Sequence, residues 1–222
     1  MKATNARDEI LSAADRLFGE QGFENASTRH IAELSGVNKA LIHYHFKNKD
    51  ALFEAVLDRY YQRLNTLLLE TLTRPGNLRD RLHRLIEVYS SFLAENHNFS
   101  RIVQRESAGG RHFDRIRDHL VPTFKAALEM MQKEFPNSRG GDLAAYQLLI
   151  SFYGMIIGYF TFSDMVAHLV GRDPLSAEEL SARGRHLKRM ADIALDALVA
   201  PAAPADTPHL VNKDRKVKGG ST

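Results

Sequence analysis

Residues 27–52 read STRHIAELSGVNKALIHYHFKNKDAL, and their spacing decides how the chain is read. Thr28 is suited to cap a helix, its hydroxyl taking a backbone N–H of the first turn. Ile31, Ala32 and Leu34 then give a short helix with one apolar side, and small Ala32 allows a second helix to cross closely. Gly36 stands where the chain reverses and must reach left-handed backbone angles. Val37 plugs the turn, and Asn38 caps a second helix over 39–45. Leu41 or Ile42 is expected to face inward, with Phe46 closing a small core and Asn48 capping a third helix near Lys49. Two short helices set across a glycine turn form a unit that seats its second helix in the DNA major groove.

The chemistry of the outer surface agrees. Lys39, Ala40, His43 and Tyr44 lie on the outward side of the second helix, where base edges are met. Across 28–49 the cations Arg29, Lys39, Lys47 and Lys49 face the single carboxylate of Glu33. Phosphate neutralisation supplies much of the affinity for a duplex. Lys47 and Lys49, with the N–H groups that open the third helix, are expected to clamp a phosphate. Lys39 reaches towards guanine O6 and N7. The hydroxyls of Thr28 and Tyr44 suit phosphate oxygens, and Arg29 and Asn38 complete the expected DNA-contacting set.

These residues resemble the DNA-binding domain of TetR-type bacterial transcriptional regulators. The resemblance is carried by Ile10-Leu11, Ala13-Ala14 and Leu17-Phe18, by Gly22-Phe23, by Thr28 with Ile31-Ala32, by Gly36-Val37, and by Tyr44-His45-Phe46 with Lys49 and Leu52. It covers about the first quarter of the chain. Two positions depart from the usual pattern: His43 stands where an aromatic is frequent, and Leu41 where a small or hydroxyl residue is frequent. Both bear on which bases are read. The resemblance implies a homodimer joined through its last two helices, and a body domain whose small-molecule effector alters operator affinity. Repression follows on the same grounds.

Composition sets the frame. The 222 residues suffice for one large core or two modest ones, and the hydrophobic share of 44% is that of an ordinary globular protein. The net charge of +3 is slight, so the basic character is local. The chain has no cysteine, which excludes a disulfide framework, a thiol sensor and a cysteine metal site. The opening residues are polar and lead straight into an amphipathic helix, so no secretory signal is expected and the cytoplasm is the default compartment.

The whole chain reads as helical, an all-α fold of about nine helices. A DNA-binding head over 1–49 precedes a body over 50–200, and 201–222 reads as a disordered Pro/Ala-rich and basic tail. The helices are expected near 5–20, after Thr28 as far as the reversal at Gly36, and near 39–45, 50–73, 78–95, 98–108, 111–135, 142–170 and 177–199. Pro122 should kink or interrupt the seventh. The fourth links head to body, so a shift at its far end would swing the head.

The stretch 143–163 carries no charge. Its length would cross a bilayer, yet tyrosines, Gln147 and Ser151 interrupt it and no lysine or arginine flanks it closely. The reading adopted is a buried helix at a subunit seam, with Gly154 and Gly158 allowing close approach. In the last helix Leu180, Gly184, Leu187, Ala191, Ala194 and Leu198 alternate in steps of four and three, a narrow stripe suited to helix packing. Gly154, Gly158, Leu187, Ala191, Ala194 and Leu198 are therefore the expected dimer interface. Within the body, Tyr89, Phe92, Gln104, Tyr146 and Tyr153 combine aromatic surface with polar groups and are the candidate effector lining, although an aromatic stripe on a helix is more often core than pocket.

Rival functions fare less well. The chain contains no HExxH, GxxxxGK, GxGxxG or GxSxG. His43 and His45 fall on different helix faces, which speaks against a shared metal. Neither a metal nor a cofactor is expected. A DNA-bound adaptor or nucleoid-associated protein without a small effector uses the same head, and stays open beside the ligand-responsive regulator; a helical enzyme is a remoter alternative.

Overall fold

The computed structural model describes residues 5–199, and the reading of 201–222 as a disordered tail falls outside them. Ten α-helices and one 3-10 turn make up the described residues, without a strand: α1 (Ala6–Asn25), α2 (Thr28–Ser35), α3 (Lys39–Phe46), α4 (Lys49–Thr73), α5 (Leu78–Glu95), α6 (His97–Ser107), α7 (Phe113–Glu134), the turn Pro136–Arg139, α8 (Ala145–Thr161), α9 (Ser163–Val170) and α10 (Ala177–Val199).

Side-chain caps start the early helices. Asn5 accepts from the N–H of Arg7 to open α1, and Asn77 accepts from Asp80 to open α5. α1 is broken at Gly22, whose φ of 82° and ψ of 168° only glycine adopts without strain. Before the break, Ile10, Leu11, Ala14, Leu17 and Phe18 are buried; after it, Phe23 turns back into the same core. Phe53 of α4 packs edge-on against both Phe18 and Phe23. The first turns of α4 thus complete the core of the small N-terminal bundle, while its later residues Tyr60, Tyr61 and Leu64 enter the core of the body. α4 therefore carries one continuous apolar cluster from the N-terminal bundle into the body.

The body packs α5 against α4 and α10, with α8 reaching α5, α6, α7 and α10. Phe92, Phe99 and Tyr60 form its aromatic centre. Arg79 of α5 pairs with Asp192 and Asp196 of α10 at 2.6 and 2.5 Å, fixing how these two helices lie together.

Two expectations about helices are corrected. The single helix predicted over 142–170 is two, α8 and α9, bent by 75° at Phe162. No single helix among the described residues is long and apolar enough to cross a membrane. α7 runs through Pro122 without interruption. Pro122 is exposed, and its ring leaves the carbonyl one turn earlier without a helical N–H donor.

Candidate nucleic-acid interface

The surface of α2 and α3 is built from local capping and a four-residue core. Ser27, not Thr28, caps α2: its Oγ accepts the N–H of His30 at 3.1 Å, and Thr28 is the first helical residue. Either hydroxyl fits the cap by type, and the backbone places Ser27 in the extended conformation a cap needs. α2 ends at Gly36, with φ of 67° and ψ of 15°. Asn38 then caps α3, its Oδ1 accepting the N–H of Ala40 at 2.9 Å. Ile31, Ala32, Ile42 and Phe46 are buried and lock the pair together. Of the two residues expected to share the inward side, Ile42 takes it and Leu41 does not; Leu41 is 38% exposed.

The outward side of α3 holds Lys39, Ala40, Leu41, His43 and Tyr44, all exposed, with Tyr44 at 80%. His43 Nδ1 lies 3.0 Å from the carbonyl of Lys47; since a carbonyl only accepts, Nδ1 is the donor in this contact. Lys47 has a φ of 62°, and its N–H closes α3 on the carbonyl of His43. Its side chain and that of Lys39 make no hydrogen bond or ion pair among the described residues. Arg29 is exposed and pairs with Glu33 at 2.9 Å. Asn48 caps α4 through the N–H of Ala51 at 2.8 Å.

Lys49 is a correction. Its ammonium donates to the carbonyls of Phe23, Glu24 and Ala26 at 2.9, 3.4 and 3.2 Å and sits 4.2 Å from the centre of the Phe23 ring. It caps the end of α1 and ties α4 to it, so its charge is spent inside the bundle. Lys47, in contrast, is exposed, whereas the Lys49 ammonium is occupied by these carbonyls. Arg7 escaped the sequence reading; it is exposed, with its guanidinium 5.3 Å from the centre of the Phe46 ring at the end of α3.

A tight joint fastens this bundle to the body. The guanidinium of Arg105, on α6, donates to the carbonyls of Phe18, Gly19 and Glu20. α1 and α6 approach so closely that a Cβ on Gly19 would lie 2.5 Å from the Asn98 side chain. Asp15 accepts from Tyr60 at 2.5 Å and from Asn98 at 3.3 Å. Buried His112 lies 4.4 Å from the ring centres of both Phe23 and Phe53, with its Nε2 3.2 Å from Asp50 and its N–H bound to buried Glu106 at 2.7 Å. An open groove runs beside this joint, between the α1 break and the Gly109–Gly110 turn.

The five candidate effector-lining residues do not converge. Tyr89 and Tyr153 do meet, stacked with ring centres 6.4 Å apart, and Phe124 abuts Tyr153 at 5.3 Å. Burial pushes both phenols up from their ordinary pKa, so they remain neutral donors. Phe92 instead belongs to the core with Tyr60 and Phe99. Gln104 and Tyr146 stand on the outside. The sequence reading missed Tyr61, whose buried hydroxyl has no partner and whose ring stacks on His119 at 4.4 Å.

The expected dimer residues divide as well. Leu187, Ala191 and Leu198 are buried within the single chain, on the helix that packs along α5, so they form protomer core and not a subunit seam. Gly154 is exposed; Gly158 and Ala194 are partly covered. Apolar side chains nevertheless crowd the outside of α8, α9 and α10: Ile150, Phe162, Met165, Leu169 at 82% exposure, Met190 and Ile193. Among the described residues, no group of three or more histidine or carboxylate side chains is placed to hold a metal.

Residues 10–56 match the family described as bacterial regulatory proteins, tetR family. An HTH-type transcriptional repressor of Mycobacterium tuberculosis is 30% identical over 173 residues, covering 77% of this chain and 80% of the relative. A probable HTH-type transcriptional regulator of Bacillus subtilis, YttP, is 31% identical over 105 residues, 46% of this chain and 50% of that protein. Among solved structures, a putative transcriptional regulator from Saccharomonospora viridis in complex with choline aligns with a TM-score of 0.64 at 23% identity, over 84% of this chain and 95% of that one. These relatives are regulators of transcription, and the structural likeness shows a shared all-helical fold.

Proposed function

This chain belongs to the tetR family of bacterial regulatory proteins, and from that premise we propose that it binds a near-palindromic operator as a homodimer, represses transcription there, and is released by a small-molecule effector. The observation that carries the DNA-binding part is the outer side of α3. Lys39 and Tyr44 project from a capped helix whose opposite side is locked by Ile42 and Phe46, with Lys47 beside it and free of intramolecular pairing among the described residues. Lys39 is placed to meet guanine; Lys47, Arg29 and Arg7 serve phosphates; Thr28, Asn38, Ala40 and His43 border the contact.

The dimer reading rests on the apolar outside of α8, α9 and α10, an area of the kind that marks a protein partner. Gly154 and Gly158 lie in it or at its edge, and a twofold pairing there sets two α3 helices on one duplex. The effector reading is supported by the Tyr89–Tyr153–Phe124 cluster and the unpartnered hydroxyl of Tyr61, since aromatic walls with a few polar groups suit a small organic molecule. A structural neighbour with choline bound has the same fold. The compartment that follows is the cytoplasm, where the duplex is.

Selection from random duplexes with the purified chain, in the presence and absence of candidate effectors, tests the proposal. An enriched inverted repeat, bound by a dimer and released by a ligand that also raises the melting temperature, is the expected result. Enrichment without any ligand effect leaves an adaptor and removes the effector. No enrichment removes the operator.

A further inference from the structure

The outer side of α3 is poor in groups that read bases by hydrogen bonds. Asn38 spends its side-chain oxygen on the N–H of Ala40. His43 commits Nδ1 to the carbonyl of Lys47, leaving one ring nitrogen. Arg29 is held by Glu33, on α2. α3 itself carries no arginine, asparagine or glutamine over 39–46. Besides Lys39, the exposed residues of α3 are Ala40, Leu41, His43 and Tyr44.

A singly exposed leucine on a protein surface is ordinary. Leu41 differs because of where it stands. Its neighbour Ile42 is buried, so a rotation of about 100° per residue carries Leu41 off the core and towards the side that holds Ala40 and Tyr44. That is the side the DNA reading presses into the major groove. The apolar feature a major groove offers is the C5-methyl group of thymine. A cytosine or guanine at the same place would bury its amine or carbonyl against a side chain that returns no hydrogen bond.

We propose that Leu41, with Ala40, reads thymine methyl groups in each half of the operator. The proposal rests on the DNA-binding reading above and gives that surface a base preference. Guanine is chosen through Lys39, and elsewhere in the half-site one or two thymines are chosen through their methyls and not through their hydrogen-bonding edges.

Deoxyuridine isolates this effect, because it keeps every hydrogen-bonding edge of thymidine and lacks only the methyl. The experiment takes the operator enriched by the full chain and replaces the thymines of both half-sites by deoxyuridine, one symmetric pair at a time. Fluorescence anisotropy then gives Kd for wild type, Leu41→Ala and Lys39→Ala. At one or two positions wild type should lose about fourfold per methyl, the loss expected for one buried carbon, and be indifferent at the rest. Leu41→Ala should erase most of that ratio. Lys39→Ala should weaken binding throughout and keep the ratio. Leu41 is partly exposed, so its variant should melt with wild type; a lowered melting temperature is countered by Leu41→Met, which keeps the apolar reach and should keep the ratio. An operator whose thymines are all indifferent, or a ratio unchanged in Leu41→Ala, overturns the proposal while leaving DNA binding intact. Failure to enrich any operator overturns the DNA reading itself, and the proposal with it.

Discussion

The guanidinium of Arg105 donates to the carbonyl of Gly19 at 2.9 Å, joining the body helix α6 to the helix that supports the recognition element. With Phe18 and Glu20 also accepting, Arg105 satisfies the carbonyls that the break at Gly22 leaves without helical donors. A body residue therefore caps a head helix. Movement of α6 cannot leave α1 where it is, and the joint offers a route by which an event in the body changes the spacing of two heads.

Arg105→Ala should loosen this joint. Its hydrogen bonds are partly exposed, which limits the loss to about 1 kcal/mol, a fall of roughly 2–4 °C in Tm. Thermal melts check the first effect. The second is functional: any effector that weakens operator binding in wild type should do so less in the variant. An unchanged effector response would show that α1 and α6 are not the coupling route.

Gly19→Ala should destabilise, although alanine is the better helix former. The added methyl would meet Cγ and Oδ1 of Asn98 at 2.5 Å and its Cβ at 2.6 Å. Overpacking of this kind costs about 1–3 kcal/mol. Asn98→Gly removes all three clashing atoms, so the double variant should be more stable than the sum of the single changes, a coupling that urea denaturation reads directly.

Lys47 and Lys49 should behave differently despite lying two residues apart. Lys47→Ala should lower affinity for every duplex and reduce the slope of log K against log salt by about 0.9 for each phosphate it no longer neutralises. Lys49→Ala should lower Tm and leave that slope unchanged, because its ammonium is bound to Phe23, Glu24 and Ala26. Lys39→Ala should instead relax the preference among bases. Titrations at several salt concentrations separate the three.

Acid should weaken the pairing between α4 and α7. Burial opposes ionisation of Asp58, but the hydrogen bonds and charges of Arg115 and His119 outweigh it and hold the carboxyl below its ordinary 3.8. The folded-state value is depressed, so the stability it supplies is present above the unfolded value and is lost as pH falls below 3.8 through the folded one. Asp58→Asn should therefore be less stable than wild type at pH 6, and the gap should narrow as the pH drops through that range. A gap constant with pH would show that ionisation of Asp58 contributes nothing.

Charge placed on the outside of α8 and α9 should separate the subunits. Ile150→Glu and Met165→Glu change exposed side chains, so each chain should keep its helical circular dichroism. Sedimentation at micromolar concentration should move towards monomer, and operator affinity should fall by more than tenfold because a monomer engages a single half-site. Unchanged sedimentation would place the subunit interface elsewhere.

Much of this architecture is legible in the residues, and the misreadings share a cause. Asn38, Gly36 and Asn48 act through local backbone geometry, which sequence spacing carries. Leu187, Ala191 and Leu198 form a stripe that looks the same whether its partner is α5 of the same chain or a second copy, and burial alone reveals α5. Lys49 looks like any cation near a groove until the carbonyls at the end of α1 are seen around it. The 75° bend at Phe162 has neither glycine nor proline at it, and no local signal marks it. Phe92 and Tyr89 differ by three positions on one helix, yet one enters the core and the other stacks on Tyr153, a distinction made by α6 and α8.

The most direct test of the central claim, that the outer side of α3 reads DNA, is sequence selection from random duplexes by the full chain at low ionic strength, with Tyr44→Ala and Lys39→Ala as controls. The account predicts an inverted repeat whose half-sites lie about one helical turn, or a multiple of it, apart, and predicts that both substitutions weaken or blur it without lowering Tm. A correctly folded chain that enriches no sequence, or whose enriched sequence is unchanged in both variants, would contradict it.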